Sequence, residues 1–366
     1  MRTFHAPGRV NLIGEHIDYM GGTVLPIAID IGTDVSLRPR PDRVVRAFSR
    51  NFPSAGVVEI DLDALNGSES RGWANYLAAV MAELSARGFQ LPHGFDVEVL
   101  GNIPNGAGLS SSASIELAFA IGLDLVCAFG VSPKALALLC QDAENEFIGV
   151  ACGIMDQMSV AVGRRGFAMA IDCSTLDIEY VPFPADIDIV VANTNQRRDL
   201  SASAYNDRRA ACERAQELLG DQPLVSIGAA ALGELMRKLD PVTARRARHV
   251  ATEQKRVEAC IEALKSDDLA RVGELMRQSH ESLRDDFDVT GPALDALAEA
   301  AWMAPGVIGA RMTGAGFGGC TVNLVQPDAV GEFTAAVGRQ YTGRTGLTAD
   351  FHVVRSDDGA REVSHG

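Results

Sequence analysis

Residues 101–116, Gly-Asn-Ile-Pro-Asn-Gly-Ala-Gly-Leu-Ser-Ser-Ser-Ala-Ser-Ile-Glu, constrain this chain more than any other stretch. They set a glycine–serine loop between two segments of different period. Upstream, Phe95 to Leu100 alternates apolar and polar residues as a strand does. Downstream, Ile115 to Phe129 is almost wholly apolar, which predicts a buried helix with three serines at its entry. Gly106 and Gly108 permit backbone angles and close approaches that a side chain would block. The helix start turns unpaired N–H groups and the positive end of its dipole toward the loop, an arrangement suited to phosphate. The plain alternative is a glycine turn followed by an ordinary serine cap.

Several phosphate-handling classes are excluded. No Gly-x-x-x-x-Gly-Lys-Ser/Thr occurs, so the chain is not a P-loop enzyme. The protein-kinase set is missing as well, since Asp286-Phe287-Asp288 is not Asp-Phe-Gly and no His-Arg-Asp loop exists. Gly314-Ala315-Gly316-Phe317-Gly318-Gly319 satisfies the dinucleotide pattern, which requires a helix next. Cys320 to Val325 is β-like instead, and the pattern fails on context.

A second dense segment runs from Ala6 to Gly22. It gathers Arg9, Asn11, Glu15, His16 and Asp18 among glycines and apolar residues. A solvated face would not be so rich in glycine, and a core strand would not carry so many polar groups. Short acidic and imidazole side chains suit a sugar pocket, where carboxylates accept hydrogen bonds from paired hydroxyls. A third segment holds Glu144, on a helix predicted from about Lys134, and Asp156 in the apolar run after Gly153.

Taken in order, Pro7-Gly8-Arg9-Val10-Asn11-Leu12-Ile13-Gly14-Glu15-His16, Gly106 to Ser112 and Arg311 to Gly319 resemble the galactokinases. These belong to a wider family of small-molecule kinases that includes homoserine, mevalonate and phosphomevalonate kinases. The resemblance spans nearly the whole chain. It implies an α/β (α+β) fold of two domains, one like a ribosomal protein and one ferredoxin-like, with the active site between them. A break at Val181-Pro182-Phe183-Pro184 predicts domains of 1–185, binding sugar and nucleotide, and 186–366. The implied reaction is ATP-dependent phosphorylation of D-galactose at its anomeric hydroxyl.

The resemblance also implies roles. Asp156 is the general base and Arg9 stabilises developing charge. A guanidinium weakens a neighbouring carboxylate as a base, so Arg9 is expected to act mainly through orientation and phosphate neutralisation. Ser112 and Glu144 match magnesium ligands, a donor pair suited to a hard cation. Gly106, Ala107, Gly108, Leu109, Ser110, Ser111 and Ser112 cradle the nucleotide phosphates. Glu15, His16, Ile17 and Asp18 bind the sugar together with Gly153 and Tyr205. Two residues of the box depart from the commonest pattern, Ile17 where threonine is usual and Met20 where asparagine is. Ile17 also occurs in relatives acting on N-acetylgalactosamine, so a kinase for that sugar or for a galactose-related acid stands as one alternative. A non-catalytic galactose and ATP sensor stands as another.

Bulk properties are consistent with this reading. The 366 residues suffice for two domains with sizeable cores. No uninterrupted apolar run of about 18 residues occurs, and the N-terminus enters the polar box directly, so a cytoplasmic location and no membrane partner are expected. Seven scattered cysteines without metal spacing predict buried reduced thiols. A formal charge of −15 argues against nucleic-acid binding, which needs clustered cations. It also requires an anionic nucleotide to be held by local N–H groups and a metal. The sequence sets no oligomeric state, and a monomer is the working expectation.

Overall fold

The strand expected over Phe95–Leu100 and the helix expected downstream both form, joined by the glycine–serine loop. The structure, a computed structural model, describes residues 1–65, 70–104, 106–196 and 201–364, except the side chains of 201–203. Asn105, within the loop, lies outside the described residues.

Strands β1 (Arg2–Asn11), β2 (Thr23–Val24), β3 (Pro26–Pro39), β4 (Val44–Ser49) and β5 (Val58–Asp61) come first. Helix α1 (Asn75–Ala86) and strand β6 (Phe95–Gly101) precede α2 (Ser111–Cys127), α3 (Pro133–Asp142) and α4 (Met155–Val162). The hairpin β7 (Phe167–Asp172) and β8 (Ile178–Pro182) closes this half.

The second half opens with β9 (Asp188–Asn193), just after the proline break. Five helices follow: α5 (Ser201–Glu217), α6 (Ala229–Lys238), α7 (Pro241–Lys265), α8 (Leu269–Ser282) and α9 (Gly291–Trp302). Strands β10 (Val307–Thr313) and β11 (Cys320–Val325), the latter the β-like run read from the sequence, form a hairpin around the glycine-rich turn. Helix α10 (Val330–Thr345), β12 (Asp350–Val354) and β13 (Arg361–Val363) complete the chain.

Three sheets result. The first has order β13-β1-β3-β6-β4-β5, and only β4 and β6 run parallel. The second, β10-β11-β9-β12, is antiparallel throughout and is backed by α9 and α10 through Val190, Ala192, Leu297, Phe333 and Tyr341. This is the ferredoxin-like layer expected of the second half. The third, β2-β7-β8, is small. Helix α2 is buried without a break from Ala113 to Asp124, which explains its lack of polar periodicity. At Gly122 any Cβ would meet Phe4 and Leu37 at 2.7–2.8 Å, so the helix can lie on the first sheet only with glycine there.

One difference from the sequence reading matters for the site. The polar density of the Ala6–Gly22 box argues against a core strand, yet Ala6–Asn11 lies on β1 and is buried throughout. Partners meet several of the buried polar atoms, while Arg9 Nε and Asn11 Oδ1 are left without one. Arg9 donates to Gly108 O, and the Asn11 side chain donates to the Glu15 carboxylate. The chain end also returns to this strand, with Phe4 opposite Glu362.

Candidate active site

The helix start after the loop is not an ordinary serine cap. Ser110 takes a left-handed backbone (φ 63°), makes no capping bond, and leaves its buried hydroxyl without a partner. Such a conformation is unfavourable for a residue with a Cβ and is kept where surrounding structure enforces it. The first-turn N–H groups of α2 therefore remain available, as does the Ser110 hydroxyl. The glycine-rich turn from the far end of the chain presses on this loop. A Cβ on Gly314 would lie 2.6 Å from Gly108 O.

A cavity of about 350 Å³ opens between these turns. On its phosphate side stand Gly106, Gly108, Ser110, Ser111 and Ser112. Ala107 and Leu109 belong to the same loop but are buried and do not line the cavity. At its centre Arg9 Nη2 lies 2.6 Å from Asp156 Oδ1, while Arg9 Nη1 donates to Gly108 O at 2.7 Å. One guanidinium thus joins the carboxylate in the first turn of α4 to the phosphate loop.

Opposite lie Glu15, His16, Asp18, Gly153 and Tyr205. Burial, with the neighbouring Asp156 charge, pushes the Asp18 carboxyl up to about 6. Burial holds His16 down at about 3, so its ring is neutral. His16 Nε2 donates to Ala315 O at 3.1 Å, which leaves Nδ1 to accept from the Tyr19 hydroxyl at 3.2 Å. The ring packs between Tyr205 and Phe287, at centroid distances of 5.4 and 4.8 Å. Glu15 lines the cavity with its carboxylate already engaged by the protein. Its carboxylate accepts from Arg311 Nη1 at 3.0 Å and from the Gly314 N–H at 2.7 Å.

The structure does not bring every box residue to the cavity. Ile17 is fully buried, packs on Gly22, and is absent from the cavity wall. Met20 lines a separate surface groove with Glu213 and Pro223.

Glu144 sits where α3 passes into a π-turn over Ala143–Ile148. Burial pushes it up to about 7, against hydrogen bonds from the side chains of Ser112, Cys152 and Gln157. Its Oε1 has no partner, nor does either oxygen of the fully buried Glu116, one helical turn beyond Ser112 on α2.

Several residues of the site carry no sequence signal. Tyr76 and Val150 line the cavity, and Phe52, Trp73 and Asn51 line an adjoining one of about 180 Å³ that shares Tyr76, Ser111 and Ser112. They lie in loops and helix starts without a motif.

Three family models match the chain: the galactokinase galactose-binding signature over 2–39, the GHMP kinases N terminal domain over 75–164 and the GHMP kinases C terminal over 260–343. Fold and site together define a small-molecule kinase of the GHMP class. Galactokinases of Fusobacterium nucleatum and Bacillus subtilis are 46% and 45% identical to it, over 98% and 99% of this chain and 94% and 95% of theirs. A crystal structure of Lactococcus lactis galactokinase complexed with galactose matches with a TM-score of 0.96 at 41% identity, covering 99% of this chain and 95% of that one. Mevalonate kinase of Methanococcus jannaschii shares the fold, with a TM-score of 0.71 at 18% identity, covering 97% of this chain and 98% of that one. The chain belongs to the galactokinases.

Proposed function

We propose that the Arg9–Asp156 cavity is where this enzyme transfers the terminal phosphoryl group of ATP to the anomeric hydroxyl of D-galactose, giving α-D-galactose 1-phosphate. The observation that carries this is the placement of Arg9, one end of its fork on Asp156 and the other on the phosphate loop. A base for the sugar hydroxyl and a cation for the phosphoryl oxygens thereby share one point.

In this reading Asp18, His16 and Tyr205 hold galactose on one side, and Gly153 lets the Asp18 carboxylate approach. Asp156 accepts the proton of the anomeric hydroxyl, whose oxygen then bonds to the γ-phosphorus as the bond to ADP breaks. Arg9 orients Asp156 and offsets charge on the transferring group. Loop residues Gly106–Ser112 hold the phosphates, with the free Ser110 hydroxyl and the helix N–H groups as donors. The adjoining cavity, faced by Phe52, Trp73 and Tyr76, takes the nucleotide base. The indole N–H of Trp73 is buried without a partner and is available to it. The proposed division at 185/186 assigns all of these but Tyr205 to the first domain.

The donors fit magnesium. Ser112 and Glu144 supply a hydroxyl and a carboxylate whose Oε1 is unsatisfied. Among the described residues no group of three or more acidic, His or Cys side chains forms a cage, as suits an ion that arrives with nucleotide phosphates. When bound, the ion neutralises phosphate charge.

We place the enzyme in the cytoplasm: Cys140, Cys212 and Cys260 are buried thiols, as a reducing compartment favours. Among the described residues, no helix is long and apolar enough to cross a membrane. A non-catalytic sensor and a kinase for another sugar are not favoured by relatives that are galactokinases over nearly their full lengths. An ADP-release assay with a panel of sugars tests the function. Turnover with galactose and rejection of glucose are expected, and no ADP release with any sugar would overturn it.

A further inference from the structure

The sugar box bends through two residues of positive φ, a glycine that adopts it freely and a histidine that does not. Gly14 has φ 105° and His16 has φ 63°, a left-handed conformation that a residue with a Cβ seldom adopts. Such a bend persists where its surroundings over-determine it. The glycine-rich turn holds the side chains of Glu15 and His16, and one helix of the other half of the chain holds the backbone beside them.

Four residues of α7 meet the box or the strand just past it, at positions that share a helix face. His249 Nε2 donates to Glu15 O at 3.0 Å, and its Nδ1 accepts from Ser282 Oγ at 2.9 Å. Glu253 Oε1 accepts the Gly14 N–H at 2.9 Å. Gln254 Oε1 accepts the Thr23 N–H at 2.8 Å, on β2 just past the box. Val257 packs on Gly14 so closely that a Cβ there would meet it at 3.1 Å. Glu253 is itself fixed by Arg256 Nε at 2.7 Å and Ser279 Oγ at 2.5 Å. His249, Glu253 and Val257 are fully buried.

We propose that α7 is a positioning element of the sugar site: His249 and Glu253 hold the Gly14–His16 bend directly, and Gln254 fixes Thr23, which packs on Gly14, so that His16 and Asp18 face the sugar. None of the three lines the cavity, so they act through the box and not on the substrate. The proposal rests on the assignment of the box to galactose. Sugar affinity then depends on contacts far from the sugar, whereas the nucleotide side, built on α1, α2 and the loop, does not.

The test separates the two ligands. His249→Phe keeps the ring against Phe287, now at a centroid distance of 4.7 Å, and removes both the Nε2 donor to Glu15 O and the Nδ1 acceptor of Ser282. Gln254→Ala changes a half-buried side chain and keeps the protein folded if His249→Phe does not. Galactose binding without nucleotide is measured by calorimetry, beside KM for ATP and thermal melting. Each variant is expected to weaken galactose about tenfold and to leave KM for ATP within about twofold, the scale of one lost hydrogen bond. His249→Gln, whose side-chain amide N–H reaches the position of Nε2, is expected to restore most of the affinity. Unchanged galactose affinity in folded variants, or equal losses for both ligands, would overturn the proposal. Asp18→Asn separates its failure from failure of the underlying reading. If Asp18→Asn loses galactose while the α7 variants keep it, only the role of α7 is wrong. If Asp18→Asn also keeps it, the box does not bind the sugar.

Discussion

Gly153 stands against the Asp18 carboxylate so tightly that a Cβ on it would collide with Oδ2 and Cγ and reach Oδ1 at 2.9 Å. Asp18 can occupy the sugar wall only because residue 153 has no side chain. Gly153→Ala is therefore expected to push the carboxylate aside and raise KM for galactose at least about tenfold, since a displaced polar group leaves sugar hydroxyls unpaired. Galactose binding without nucleotide is the measurement, and unchanged affinity would contradict the assignment.

Asp18 also predicts a pH dependence. Its carboxyl titrates near 6, above the ordinary 3.8, chiefly through burial. The ionised form accepts hydrogen bonds from sugar hydroxyls and is lost as pH falls through that value. Galactose affinity should drop below about pH 6 and level off above it, and Asp18→Asn should remove the step while binding weakly. Stability runs the other way. A raised folded value means the protonated group's contribution is full below the unfolded value and lost as pH rises through 6. Asp18→Asn should then raise the melting temperature at about pH 8 more than at about pH 4.

Asp156→Ala is expected to lower kcat at least about 10²-fold, the lower range for a positioned base, with the fold intact because the side chain is partly exposed. Arg9→Lys keeps the charge but cannot bridge Asp156 and Gly108 O with one planar fork, so kcat should fall substantially as well. Steady-state kinetics on folded variants check both. A lysine enzyme as active as the parent would show that charge alone matters there.

Ser112→Ala and Glu144→Ala should impair use of magnesium–ATP and spare galactose affinity, because neither side chain lies on the sugar side. Excess magnesium should partly rescue Glu144→Ala. Direct titration with galactose is the check, and a large loss of sugar affinity in either variant would contradict the roles proposed.

Ile17 bears on sugar choice. Its side chain is buried behind the wall and Met20 faces another groove, so neither reshapes the cavity around the sugar. Galactose should clearly exceed N-acetylgalactosamine in kcat/KM in side-by-side assays. Equal or better use of the acetamido sugar would overturn this while leaving the kinase chemistry standing.

The phosphate loop, its strand and helix, and strand β11 were legible from residue period and glycine placement alone. So was the gathering of Arg9, Glu15, His16 and Asp18 as chemistry, since polar density among glycines is a local property. The direction each side chain takes was not legible. Glu15 is tied to Arg311 and Gly314 at the cavity wall, and Ile17 turns into the core although its neighbours His16 and Asp18 face the cavity.

By itself the sequence determined the loop, the box and the class of chemistry, because these rest on backbone freedom and side-chain type within a few residues. Only the tertiary structure decided which atoms meet. Arg9 reaches Asp156 and Gly108, Gly153 makes room for Asp18, and α7 grips a bend more than 200 residues earlier in the chain, as with Glu253 and Gly14 at a separation of 239. Those pairings depend on how sheets and helices pack across long separations, where a single residue's facing is set by every neighbour at once.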